Sequence, residues 1–271
     1  VKLSFTLGGG LGDYILSYLG SPGNRLAYLS TLAEIDFRVS AQCSAGLDLV
    51  KNNPYFKQAS IYQEDKFGQN KLDNDISCIK NISDYPQLKP SLWLSDQEEE
   101  ILNHLESPYG IFHPFAGDFS RNLSNTFPIG FLSQWIADVS GFPIIVLGNE
   151  DFNYSSDNVK QIKGSARLSV KIVERSSFFV GSHSSMQCAA WVYDIPSFCI
   201  APDLLLHNLM APYGHDIYLK PLFGEKNVFM MYEQAGRFSY FLDYFLKGIS
   251  LRPCKTPEEY RRLLVRSHMV F

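Results

Sequence analysis

The run Phe142-Pro143-Ile144-Ile145-Val146-Leu147-Gly148 is apolar at consecutive positions and does not alternate. Such a strand is buried on both faces, because a half-solvated strand carries a polar side chain at every second residue. Burial on both faces calls for a parallel sheet with helices above and below it, and the flanking sequence supplies them. Helical spacing is read over 129–139, with the strand over 143–147, a polar loop, a helix over 169–176, a strand over 178–181, a helix over 184–192 and a strand over 197–200. Beyond Pro202 the sequence predicts helices over 203–210 and 257–265.

The first half carries the same rhythm less clearly. A strand over 3–7 leads to a helix over 13–19, which Ser21-Pro22-Gly23-Asn24 ends. A helical piece over 25–33, a strand over 37–41, a helix over 45–51 closed by Asn52-Asn53-Pro54 and a strand over 59–62 follow. Residues 63–84 are polar and read as a surface excursion with a short strand near 76–79. Residues 89–94 look extended. Ser95-Asp96-Gln97-Glu98 then supplies an N-cap with a glutamate three residues on, for a helix reaching about residue 105. Ser107-Pro108 punctuates, and Tyr109 to Pro114 starts a second strand-first unit. The boundary falls within 95–107, giving domains over 1–106 and 107–271. No internal repeat or low-complexity tract stands out.

With 271 residues, 45% hydrophobic and 19% charged, the chain can bury the core of one or two ordinary globular domains. A net charge of −4 argues against a surface built wholly to grip nucleic acid. The 20 Phe and 15 Tyr suit core filling as well as a sugar or base pocket. Five scattered cysteines, Cys43, Cys78, Cys188, Cys199 and Cys254, form no Cys-x-x-Cys pair, which favours reduced thiols and gives no zinc signature. No apolar run approaches the ~18 residues of a membrane span, and the expectation is a cytoplasmic protein without a transmembrane segment.

Three turns carry possible chemistry. The first is Leu7-Gly8-Gly9-Gly10-Leu11-Gly12-Asp13, between a strand and a helix. Glycine allows a ligand to approach the backbone there. A dinucleotide fingerprint fails, because the third glycine of Gly8-x-Gly10-x-x-Gly would stand at Asp13. A plain tight turn and a ligand-facing turn both remain open. The second is His113-Pro114-Phe115-Ala116-Gly117-Asp118-Phe119-Ser120-Arg121, where Arg121 is either a bidentate phosphate ligand or a solvated loop arginine. The third is Val180-Gly181-Ser182-His183-Ser184-Ser185-Met186-Gln187, where hydroxyl residues open a helix whose N-terminus suits phosphate, or simply cap it. His183 reads as a base or a hydrogen-bonded structural residue. Glu150, after Gly148-Asn149, reads as an acceptor for ribose hydroxyls or as a solvated glutamate. His-Glu-x-x-His, Gly-x-Ser-x-Gly and Walker patterns are all missing from the sequence.

In their order, four segments resemble the heptosyltransferases of glycosyltransferase family 9. They are Gly12-Asp13-Tyr14-Ile15-Leu16, Asn53-Pro54-Tyr55-Phe56, the stretch from Tyr109 to Gly117, and the stretch from Phe178 to Ala190. The resemblance implies an α/β, GT-B-like fold of two Rossmann-like domains whose parallel sheets face an interdomain cleft. It implies inverting, metal-independent sugar transfer from a nucleotide-diphosphate donor, with no cofactor besides that substrate. Asp13 would be the general base, and Gly9, Gly10, Gly12, His113 and Gly117 would line the acceptor side of the cleft. Arg121 would meet the donor phosphates, Glu150 the ribose, and Ser182, His183, Ser184, Ser185, Met186 and Gln187 the leaving diphosphate. The family's last motif, Asp-Ser/Thr-Gly-x-x-His, is replaced here by His183-Ser184-Ser185-Met186-Gln187. Donor sugar and oligomeric state stay open, and the acceptor is a glycan, a lipid-linked glycan or a modified nucleic-acid base. The basic run Arg252, Lys255, Arg261, Arg262 and Arg266 fits a polyanion or a solvated helix face. Two alternatives stand beside transfer: a nucleotide-sugar-binding or assembly protein without catalysis, and a sugar-nucleotide epimerase.

Overall fold

The structure, a computed structural model, describes residues 2–7, 10–19, 34–40, 45–53, 56–62, 92–116, 123, 127–201, 227–231, 242 and 245–246. The helices expected over 25–33, 203–210 and 257–265, the strand near 76–79 and the basic C-terminal run lie outside these residues, as do Gly9, Gly117, Arg121, Cys43, Cys78 and Cys254. The chain separates into two compact units, Val1–Leu105 with Ser165–Ile172, and Glu106–Gly164 with Val173–Phe271.

In the first unit, strands β1 (Lys2–Leu7), β2 (Glu34–Ser40) and β3 (Phe56–Tyr62) form a parallel sheet in that order. Helix α1 (Leu11–Leu19) begins earlier than its spacing suggested, since the Tyr14 N–H donates to the Gly10 carbonyl at 3.3 Å and closes a first turn that contains Gly12 and Asp13. Tyr14 and Ile15 are buried behind it. Helix α2 (Ala45–Val50) buries Leu49 and Val50.

Helix α3 (Asp96–Asn103) starts on the expected capping box. The Ser95 N–H donates to Glu98 Oε2 at 2.8 Å, and the Glu98 N–H donates to Ser95 Oγ at 3.4 Å. The same glutamate does more than cap. Its carboxylate receives Ser165 Oγ and, at 2.8 Å and 2.7 Å, the Nε and an Nη of the buried Arg167. Arg167 also reaches Asp48 Oδ1 at 3.4 Å, and Asp48 Oδ2 accepts the Ala166 N–H at 2.9 Å. Burial alone would raise the Glu98 pKa, but the hydrogen bonds from Ser165, the Ser95 backbone, Arg167 and the Ser95 hydroxyl bring it down to about 2. These contacts cap helix α5 (Ala166–Glu174), which therefore starts before the expected residue 169. The local signal is Ser165, whose Oγ accepts the Leu168 N–H at 3.1 Å.

The second unit holds a six-stranded parallel sheet, ordered β6-β5-β4-β7-β8-β9. Its strands are β4 (Gly110–His113), β5 (Ile144–Leu147), β6 (Val159–Ile162), β7 (Phe178–Ser182), β8 (Ser197–Ala201) and β9 (Asn227–Met231). Strands β4, β5 and β7 are buried at every residue, as the unbroken apolar runs required. Helices α4 (Ile129–Ser140) and α6 (Ser185–Val192) fall where their spacing placed them. The core gathers Phe112, Phe115, Leu132, Ile136, Val146, Phe178, Val180 and Phe198. Strand β6 lies inside the segment read as a polar loop. Of its residues only Val159 is buried, so its edge position leaves no apolar pattern to read. Strand β9, at the other end of the sheet, likewise had no counterpart in the sequence reading.

Candidate functional site

The second unit's chain starts at the centre of its sheet, moves outward from β4 through β5 to β6, then returns to the other side of β4 and moves outward again through β7, β8 and β9. Strand order thus reverses between β4 and β7. In open α/β sheets the crevice for a ligand opens at that reversal, beyond the carboxyl ends of the two strands. Here those ends are His113 and Ser182.

The two strand ends are held unusually close. A Cβ on Gly181 would stand 2.3 Å from the His113 carbonyl oxygen, so only glycine permits this register. One residue on, buried Ser182 Oγ donates to the Phe115 carbonyl at 3.1 Å and to that of His113 at 3.4 Å. The Leu123 N–H donates to the Pro114 carbonyl at 2.8 Å.

Ser184 stands at the N-cap of α6 with extended backbone, φ −153 and ψ 175, yet its side chain makes no cap bond. Instead its Oγ lies 3.0 Å from His113 Nδ1. Cys188 is the first helical donor, to the Ser184 carbonyl at 3.3 Å. The backbone N–H groups of Ser185, Met186 and Gln187 therefore end α6 without a protein acceptor among the described residues, directly at the strand reversal. Such an N-terminus attracts negative charge and phosphate oxygens.

His113 is only 9% exposed, and burial lowers its pKa to about 4, so the imidazole is neutral at physiological pH. His183 Nδ1 donates to Gln187 Oε1 at 2.7 Å. The buried Gln187 amide nitrogen has no oxygen or nitrogen partner among the described residues, and its side chain lies against the Cys199 thiol. That thiol, pushed up by burial and by the neighbouring Cys188, stays protonated; both cysteines are buried thiols outside any disulfide.

On the other side of β4, Gly148 follows β5 with φ 142, a conformation that favours glycine. A Cβ there would meet the Phe115 ring at 2.3 Å and Glu150 Oε2 at 2.9 Å, so the missing side chain lets ring and carboxylate lie side by side. Gln161 Nε2 fixes this loop by donating to the Gly148 carbonyl at 2.9 Å and the Glu150 carbonyl at 2.7 Å. Glu150 itself is exposed at the end of the strand adjacent to β4. Among the described residues no group of three or more His, Cys, Asp or Glu is placed to hold a metal ion, and no helix is long and apolar enough to cross a membrane.

No family model and no curated protein sequence matches the chain. Its structure superposes on the crystal structure of the family 9 glycosyl transferase from Veillonella parvula with a TM-score of 0.54, over 98% of this chain and 96% of that one, at 10% identity. It also superposes on E. coli ADP-heptose LPS heptosyltransferase II with a TM-score of 0.52, over 98% and 99% of the two chains, at 14% identity. The chain has the GT-B fold of these family 9 glycosyltransferases. It spans 58% of the length of the iron-containing dodecameric glycosyltransferase TibC from enterotoxigenic E. coli, at 16% identity over 74% of this chain and a TM-score of 0.41.

Within this GT-B chain, the second unit brings His113, Ser182, His183, Ser184, Ser185, Met186 and Gln187 to one end of its sheet, with Glu150 at the same end, after the strand β5 that adjoins β4. Gly10, Gly12 and Asp13 belong to the other unit, where Asp13 lies in the first turn of α1, directly after β1. Residues not singled out in the sequence also shape the site: Gly181, Gly148, Phe115 and Gln161. Gly181 leaves a faint signal, a glycine inside an otherwise bulky strand. Gln161 leaves none, because its strand has no apolar pattern.

Proposed function

We propose that the chain is an inverting, metal-independent glycosyltransferase that moves a sugar from a nucleotide-diphosphate donor to an acceptor hydroxyl. The observation that carries this reading is the uncapped N-terminus of α6 at the reversal of strand order in the second unit. The GT-B fold supports it. E. coli ADP-heptose LPS heptosyltransferase II takes, by its name, a sugar on a nucleoside diphosphate, and the same donor class fits a helix N-terminus rich in free N–H groups.

Asp13 is the general base of this proposal. Its carboxylate takes the proton of the acceptor hydroxyl as the oxygen attacks the anomeric carbon. The bond from that carbon to the diphosphate breaks on the opposite face, so the configuration inverts. Charge growing on the leaving diphosphate meets the N–H groups of Ser185, Met186 and Gln187, with Arg121 as a further ligand; Glu150 accepts the ribose hydroxyls. The acceptor is a glycan, a lipid-linked glycan or a modified nucleic-acid base.

A thermal-shift screen of nucleotide sugars identifies the donor, because ligand binding to the folded state alone stabilises it by about 2.7 kcal/mol at a hundredfold excess over Kd. With that donor, Asp13→Asn is expected to lower transfer about 10²- to 10⁴-fold while Kd stays within a factor of two. Wild-type turnover by the variant sinks the assignment of the base. Donor binding by the wild type without transfer to any acceptor class supports a binding or assembly protein. Donor conversion without acceptor supports an epimerase.

A further inference from the structure

Strand β5 and its edge neighbour β6 stay paired as far as Leu147 beside Ile162. Beyond that point the chain turns away through Gly148, and a side chain takes over from the ladder. Gln161 Nε2 donates to the Gly148 carbonyl at 2.9 Å and to the Glu150 carbonyl at 2.7 Å, one acceptor for each of its two amide hydrogens. Both partners are carbonyl oxygens, which only accept, and this fixes which end of the amide faces the loop. Two more contacts reach the same loop from beyond β6. Asn149 Oδ1 accepts the Gly164 N–H at 3.2 Å, and Lys163 Nζ meets Asp151 Oδ1 at 2.8 Å. The ion pair is exposed at both ends and screened by solvent, so the half-buried Gln161 is the firmer hold.

The loop held in this way carries a carboxylate turned toward the reversal of strand order. A Cβ on Gly148 would stand 2.9 Å from Glu150 Oε2 and 2.3 Å from the Phe115 ring, so Glu150 folds back over the glycine toward the residues that follow β4. The Phe115 carbonyl accepts Ser182 Oγ at 3.1 Å, which ties that residue to the end of β7. Glu150 itself is exposed, and an exposed carboxylate needs no fixed backbone to stay solvated. A ligand does need one, because a group already in place costs less ordering on binding than a loose one.

We propose that Gln161 is a positioning residue that holds Glu150 ready to accept ribose hydroxyls, and so makes the site selective for ribonucleoside over 2′-deoxyribonucleoside diphosphates. The inference rests on the ribose contact of Glu150 proposed above and adds what fixes it and what it selects. Glu150 touches the sugar; Gln161 acts only through the backbone that carries Glu150. No covalent bond changes.

The test is calorimetric titration of the full chain with ADP, GDP, UDP and CDP, each beside its 2′-deoxy counterpart. It uses the wild type, Gln161→Leu, Gln161→Glu, Glu150→Ala and the Glu150→Ala/Gln161→Leu double variant, with thermal unfolding of each as the folding control. For the base that binds, the wild type is expected to prefer the ribose form about 10- to 100-fold, the worth of one hydrogen bond to a charged group. Gln161→Leu is expected to cut that preference to within about threefold, whereas a merely structural glutamine would weaken both forms alike and leave the ratio unchanged. Gln161→Glu keeps the size of the side chain but turns an oxygen on the two carbonyls; it is expected to lose the preference too, and keeps the test decisive if Gln161→Leu unfolds. The double variant is expected to match Glu150→Ala, since both changes remove one contact. A wild-type ratio in a folded Gln161 variant, with the ratio lost in Glu150→Ala, overturns the inference and leaves the ribose contact standing. A wild-type ratio in Glu150→Ala, or no preference in the wild type, overturns the ribose contact and the inference with it. Failure of every diphosphate to bind the wild type overturns the nucleotide-donor reading as a whole.

Discussion

Gly181 and His113 show how much of the site hangs on single atoms. Gly181→Ala places a methyl group 2.3 Å from a backbone oxygen, and neither strand can yield without breaking ladder bonds. Overpacking of this kind costs about 1–3 kcal/mol, and urea unfolding of the variant is expected to show a lowered midpoint of that size. A wild-type midpoint contradicts the close approach. The sequence shows only a glycine inside a bulky strand; the reason glycine is needed is the carbonyl of His113, a residue that lies far away along the chain. The same holds for Ser184: its position before a helix was legible, and reads locally as a cap, but its partner His113 was not. Glu150 is the opposite case, since a carboxylate just past a strongly apolar strand is a local feature.

Helix α3 was readable from four residues, because a capping box is made between neighbours in sequence. What the helix does beyond its own first turn was not readable. Glu98 holds Arg167 and Ser165, and with Asp48 it fixes the start of α5. Removing the cation while leaving the buried carboxylate is costly, so Arg167→Met is expected to destabilise the chain by about 3–5 kcal/mol in chemical denaturation. Glu98→Gln/Arg167→Met is expected to recover part of that loss, as the uncompensated charge goes with it. Additive losses in the double variant would show that the pair is not coupled. Strand β6 marks the limit at this scale: it buries only Val159, so hydrophobic patterning passes over it, whereas β9 carries the apolar run Val228-Phe229-Met230-Met231 as a local signal.

At the scale of the whole molecule, two buried groups among the described residues make acid the vulnerable side. Glu98 ionises at about 2 in the folded chain, against an ordinary 4.5, so its contribution is complete above pH 4.5 and is lost as pH falls toward 2. His113 is lowered from 6.5 to about 4, so the folded state disfavours its protonation, and that contribution is lost as pH falls from 6.5 to 4. Each amounts to about 3 kcal/mol. The urea midpoint is expected to drop in two stages, with His113→Asn flattening the stage between pH 6.5 and 4 and Glu98→Gln the stage below 4.5. A midpoint independent of pH between 6.5 and 4 would show that His113 is not buried as a neutral ring. The parallel α/β character, the helices read over 129–139 and 184–192 and the buried central strands followed from the sequence, because burial on both faces and helical spacing are each written in a few consecutive residues. The order of the strands was decided only in the tertiary structure, and with it the reversal between β4 and β7, the pairing of His113 with Ser184 and the anchoring of Arg167. An apolar run specifies that a strand is buried but not which strand lies beside it, and a site assembled from residues 71 positions apart exists only once that neighbour is chosen.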